Sequence, residues 1–218
     1  MDKFDELVHL YLRLNGFFTV PNYILQNPDQ WTDIDVFGVR FPRQEEVLGR
    51  TPLRNDPDLA LSSTKVDVIL AEAKRNGSTF NSSWRDRRRM HCALRFLGLL
   101  DADSLEEAAE RLALWDTFEN EEVRIRPLLC SGEPSMKDDA VHRRLDGIVS
   151  FIVRRFRRFR RFKSYRPMWQ GTLADEICTA AENQRRPLTL EDVELLPCER
   201  RNCSCLYHVV DKGKAATR

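Results

Sequence analysis

Glu72 and Lys74 close an apolar run, Val66 to Lys74 (VDVILAEAK), with a carboxylate and an ammonium at alternate positions. If the run is a strand, alternate side chains share a face and the two groups converge. Asp33 and Asp35 alternate in the same way within Trp31 to Phe41. Pairing of the two segments would bring one of these carboxylates within a few ångströms of Glu72. Such a cluster suits a hard cation. Mg²⁺ on one or two carboxylates can polarise a phosphoryl oxygen and orient water, and a neighbouring Lys can position or activate that water, which is the equipment of phosphodiester hydrolysis.

The elements that must hold these residues follow from periodicity. Phe4, Leu7, Val8, Tyr11 and Leu14 recur at helical spacing, with Gly16 where a C-terminal cap belongs. Phe17 to Leu25 and Trp31 to Phe41 are rich in aromatic and β-branched residues, separated by Asn27, Pro28 and Asp29, and predict two antiparallel strands. Pro42 to Thr64 reads as a long loop with a short helix near Pro57 to Ala60. Val66 to Lys74 is apolar enough to be an interior strand covered on both faces. Ser83 with Asp86, and Ser104 with Glu107, predict two capped helices, and Val123 to Cys130 predicts a further strand. The expected fold is α/β, a mixed central sheet flanked by helices in the order α-β-β-β-α-α-β. Helices from about Asp146 to Lys163 and from about Thr172 to Asn183 follow.

Asp33-Ile34-Asp35-Val36 followed by Ile69-Leu70-Ala71-Glu72-Ala73-Lys74 resembles the signature of the PD-(D/E)XK, or restriction-endonuclease-like, nuclease superfamily. Many members carry a Glu on the first helix about three turns before a Gly that opens the first strand, and Glu6 and Gly16 fit. The resemblance covers Phe4 to Cys130. It implies that Asp35, Glu72 and Lys74 are catalytic, that Asp35, Glu72 and the Ala73 carbonyl hold Mg²⁺ (with Mn²⁺ as a substitute), and that Glu6 is an auxiliary ligand. The implied activity is hydrolysis of DNA. Alternatives are a catalytically inactive member that binds nucleic acid or a partner protein, and an RNA-cleaving member. The chain departs from the family pattern in lacking a Pro before the Asp and in the long Asp-to-Glu separation, which the Pro42 to Thr64 loop accounts for.

The division expected is a nuclease core, residues 1–131, and a helical, Arg-rich C-terminal extension, residues 132–218, packed on it. Between Arg143 and Arg166 nine Arg and one Lys oppose one Asp, a local charge of +9 in a chain of net +1, so the remainder carries −8. Ile148, Phe151, Ile152, Phe156, Phe159 and Phe162 form one stripe of this segment, which makes the phenylalanines core rather than base-stacking platforms. Arg154, Arg157, Arg158 and Arg161 are candidates for phosphate contacts, against the blander reading of a solvated face or one paired with the nine carboxylates of Asp101 to Glu122. Arg85, Arg88 and Arg89, just after the E-x-K strand, are a second candidate group for nucleic acid.

Cys198, Cys203, Cys205 and His208 have the chemistry of a tetrahedral zinc site, but the spacing lacks a C-x-x-C knuckle, so zinc is the weaker reading. His9 and His91 read as packing or surface residues. With 42% hydrophobic and 32% charged residues and only nine glycines, the composition excludes collagenous and wholly disordered classes. No apolar run reaches the roughly 18 residues of a membrane span, and the charged start does not resemble a signal peptide, so a cytoplasmic protein is expected. A homodimer is compatible with double-strand cutting, which often needs two copies of one active site.

Overall fold

The first helix, α1 (Lys3–Leu14), starts at Asp2, whose carboxylate accepts from the N–H groups of Phe4 and Asp5 while its own N–H donates to the Asp5 side chain. This reciprocal cap satisfies donors that a helix start leaves unpaired. The helix ends at Asn15, and Gly16 follows at φ +82°, a conformation that costs glycine no steric strain. The computed structural model describes residues 2–27, 30–44, 47–48, 51–52, 54–134, 141–158, 173–183 and 186–196.

Strands β1 (Phe18–Asn27) and β2 (Gln30–Arg40) pair antiparallel. The long segment after β2 holds a two-residue hairpin, β3 (Val47–Leu48) with β4 (Thr51–Pro52), and a 3₁₀ turn at Pro57–Leu59. The central strand, β5 (Val66–Lys74), pairs antiparallel with β2 and parallel with β7 (Val123–Ser131). Two short strands share the far edge of β7: β6 (Phe118–Glu119) runs antiparallel to its first half, and β8 (Val141–Arg144) parallel to its second. The result is a six-stranded mixed sheet in the order β1-β2-β5-β7, with β6 and β8 beyond.

Helices cover both faces. On one lie α1, α4 (Leu145–Arg158), α5 (Leu173–Asn183) and α6 (Leu190–Leu195), which pack Leu7, Tyr11, Ile148, Ile152 and Ile177 against Val36, Ile69, Ala71, Leu128 and Cys130. On the other, α2 (Arg87–Leu97) and α3 (Ala102–Ala113) bring Met90, Leu94, Ala108 and Leu112 onto Phe37, Val68, Leu70 and Leu129. Odd positions of β5 meet the first cluster and even positions the second, which is why the strand reads as a continuous apolar run. Truncating a fully buried member such as Ile69 or Leu70 to Ala would cost about 2–5 kcal/mol.

The order α-β-β-β-α-α-β holds for the main elements, with the short strands and α6 added to it. Two helix starts differ from expectation. Asp86, not Ser83, caps α2, because residues Ser82–Arg85 form a 3₁₀ turn that buries Trp84 and the chain turns again before the helix. Asp101, not Ser104, caps α3, its carboxylate accepting the Ser104 N–H. Among the described residues no helix is long and apolar enough to cross a membrane.

The chain's first and last described helices are tied together. Lys3 Nζ donates to the carbonyls of Val193, Glu194 and Leu196 at the end of α6, and the Glu6 carboxylate accepts the Leu173 N–H at the start of α5. Each follows helix-end electrostatics, a cation at a C-terminus and an anion at an N-terminus.

Candidate active site

The β2–β5 ladder stops at Val36 opposite Ala71, one position short of Asp35 and Glu72. The β1–β2 ladder has a gap at the same point, where Asn22, across from Asp35, adopts φ +49°. In a regular strand Ile34 and Val36 would share a face, yet Ile34 is buried in the α2–α3 cluster and Val36 in the α1 cluster. The irregularity therefore falls on Asp35 itself and leaves it where β2 separates from the end of β5.

Beyond the ladder the β5 backbone still needs partners. The Lys74 carbonyl accepts the Gly132 N–H on the β7 side, so by alternation the N–H and C=O of Ala73 point toward β2. The Asp35 side chain completes that edge: its Oδ2 accepts the Ala73 N–H at 2.7 Å. Asp35 and the Ala73 carbonyl thus lie on one strand edge.

Glu72 and Lys74 share the α2–α3 face. Glu72 is 1% exposed, and its carboxylate accepts the Asn81 N–H at 2.9 and 3.2 Å. Lys74 Nζ stands 3.3 Å from Glu72 Oε1 and donates to the Thr79 carbonyl at 2.6 Å. The segment after β5 therefore folds back over the pair, holding the carboxylate by one backbone N–H and the ammonium by one backbone carbonyl. Asn81 and Thr79 were not legible as site residues, because their backbone groups rather than their side chains are used.

Glu6 stands on α1, on the opposite face from Glu72 and Lys74, where it meets the start of α5. Asp33 pairs with Ile24 in the hairpin. Asp35, Glu72 and the Ala73 carbonyl offer hard oxygens, the donor type that Mg²⁺ takes together with several waters. Among the described residues no group of three or more His, Cys, Asp or Glu side chains is placed to hold a metal.

The two arginine groups lie on different faces of the sheet. At the start of α2, Arg85 is exposed with its guanidinium 4.6 Å from the centre of the Trp115 ring, Arg88 is exposed, and Arg89 pairs with Asp86 at 3.4 Å. Arg85 also lines a surface cavity of about 440 Å³ with Arg87 and Trp115. On α4, behind the sheet, Arg154 is exposed, Arg157 donates to the Arg186 carbonyl, and Arg155 is buried, donating to the Leu14 carbonyl. Only the α2 group shares the face of Glu72 and Lys74. Arg161 and the Arg158 side chain, and Cys198, Cys203, Cys205 and His208, lie outside the described residues.

Comparison with family models, with curated proteins and with solved structures finds no match.

Proposed function

We propose that this chain is a Mg²⁺-dependent nuclease of the PD-(D/E)XK type that hydrolyses phosphodiester bonds in DNA, with Asp35, Glu72 and Lys74 as its catalytic residues. The observation that carries the reading is the Asp35 carboxylate bonded to Ala73, the residue between Glu72 and Lys74. It supports a site in which two carboxylates and an ammonium from two strands would act at one sheet end. The α2 arginines on the same face would take the backbone phosphates of the substrate without reading sequence.

Mg²⁺ bound there would supply Lewis-acid polarisation of the phosphoryl oxygen and a water of lowered pKa. The chain's own groups do the rest. Asp35 and Glu72 supply the negative charge that attracts the cation, and Lys74, kept beside Glu72 by the Thr79 carbonyl, orients the attacking water through its Nζ. The buried position of Glu72 and the segment folded over it limit access of bulk water, which strengthens each of these interactions.

The test is cleavage of plasmid, linear and single-stranded DNA and of RNA with and without Mg²⁺. Asp35→Ala should abolish cleavage, and Lys74→Ala should lower it by about 10²–10⁴-fold, the usual weight of one proton-handling group. Cleavage that survives both substitutions unchanged sinks this assignment. A second reading, a catalytically inactive nucleic-acid-binding member of the same fold, is favoured by the Glu72 carboxylate already being engaged by Asn81 and Lys74. Binding of DNA without turnover in Mg²⁺ or Mn²⁺ would select it, and turnover of RNA alone would select an RNA-cleaving enzyme.

A further inference from the structure

One cluster beside the proposed centre has no part in the chemistry above. Ser131 ends β7 directly across from Lys74, and it is fully buried. Its hydroxyl donates to the Glu133 carbonyl at 2.6 Å, and its Oγ lies 2.9 Å from Nε2 of His142 on β8. A hydroxyl has a single proton, and a carbonyl can only accept, so that proton belongs to Glu133. The contact with the imidazole must then be Nε2–H donating to Ser131 Oγ, which assigns the tautomer. Burial holds the His142 pKa below the ordinary imidazole value.

The turn these bonds close is pressed against the end of β5. Gly132 N–H donates to the Lys74 carbonyl at 3.2 Å. A Cβ on Gly132 would press on the Arg75 carbonyl oxygen well inside van der Waals contact, so the two chain segments approach as closely as a glycine allows. The backbone of residues 74 and 75 is thus set by the 131–133 turn, and the turn is set by His142.

We propose that His142, acting through Ser131 and the turn at Gly132, is a positioning residue for Lys74. Its consequence for turnover rests on the nuclease reading, but its effect on Lys74 does not. Outer partners that orient a reactive group typically matter by about 10–100-fold. His142→Ala should therefore lower kcat by roughly that factor and leave KM for DNA unchanged. His142→Gln, which can keep a donor near the Nε2 position, should restore most of it.

The independent readout is the rate at which Lys74 is acylated by a limiting amine-reactive reagent, read by mass spectrometry against Lys3 and Lys65. Lys74 should label several-fold faster in His142→Ala and Ser131→Ala than in the wild type, with Lys3 and Lys65 unchanged and His142→Gln close to wild type. If Lys74 labels at the wild-type rate in both alanine variants, the proposal is overturned whatever happens to cleavage. It is equally overturned if all three lysines label faster together, which is general loosening. Should His142→Ala fail to fold, Ser131→Ala carries the same comparison. If no protein cleaves, wild type included, a selective change at Lys74 still supports the positioning role while the nuclease reading falls.

Discussion

Asp67 and Glu72 stand five residues apart on β5, each 1% exposed, and have different partners. Asp67, on the α1 face, is in register with Arg40 of β2 and Arg124 of β7 and bonds both, with Arg126 as a third partner at 2.7 Å. Other guanidinium donors go to the carbonyls of Asn15, Asp58, Leu59 and Ala60, while Arg40 Nε is buried with no partner among the described residues. Burial pulls Arg40 and Arg126 below the usual guanidinium range, with Asp67 opposing that shift. At the other end Glu72 meets the Lys74 ammonium and the Asn81 N–H, and another carboxylate, Asp35, bonds the N–H of the next residue, Ala73. One end of the strand holds a carboxylate among three guanidinium groups, the other a carboxylate beside an ammonium and a backbone N–H. The same residue type thus serves as scaffold at one end and in a candidate site at the other, according to the groups that surround it.

That contrast can be broken most sharply at Asp67. Asp67→Ala should cost about 3–5 kcal/mol in urea unfolding, because it leaves Arg40 and Arg126 buried without a counter-charge. A loss below 1 kcal/mol (roughly the worth of an exposed pair) would show the network to be dispensable. Gly132→Ala should come next, at about 1–3 kcal/mol, since the added methyl forces the 131–133 turn away from β5; an unchanged unfolding midpoint would contradict the close approach. Glu72→Gln should change stability by less than about 1 kcal/mol, as the amide oxygen can still accept from Asn81, while cleavage is lost. A large loss of stability would move Glu72 to the scaffold side of the comparison.

A third carboxylate extends the series. Asp5, buried on α1, faces Asp2, and burial first and Asp2 second push its pKa from 3.8 up to about 6. A raised folded pKa means that the neutral form suits the fold. The stability this group contributes is complete below about pH 4 and lost as pH rises through about 6. Stability measured across pH 4 to 7 should show that decline, and Asp5→Asn, which keeps the acceptor, should remove it. A profile identical in the two proteins would refute the assignment.

The main elements and the candidate site are legible for one reason: α1, β1, β2, β5 and β7 have strong periodicity, and Glu72 and Lys74 sit where an apolar run turns charged. Asp67 was hidden inside that run, because a single acid between two valines does not disturb a strand pattern. Its signal lay elsewhere, in Arg124 and Arg126 alternating at the start of another strand. Residues such as Thr79, Asn81 and Gly132 contribute backbone atoms, which residue type does not reveal. The dyad of Ser131 and His142 depends on β8, four residues long and reached only through the β7–β8 pairing. Glu6 was placed by resemblance, and the structure puts its carboxylate at the start of α5.

Arg40 has a consequence for the long segment that follows it. Its guanidinium bonds the Leu59 and Ala60 carbonyls, and Asn15 Oδ1 accepts the Asp56 N–H, so both ends of the excursion are clamped to the same spot on the sheet. The segment between Arg40 and Asp56 is thereby closed into a loop at these bonds. Doubling its length would add only about 0.6 kcal/mol of closure entropy. It is the natural place to graft a foreign peptide, a fluorophore tag or a new pair of chain ends.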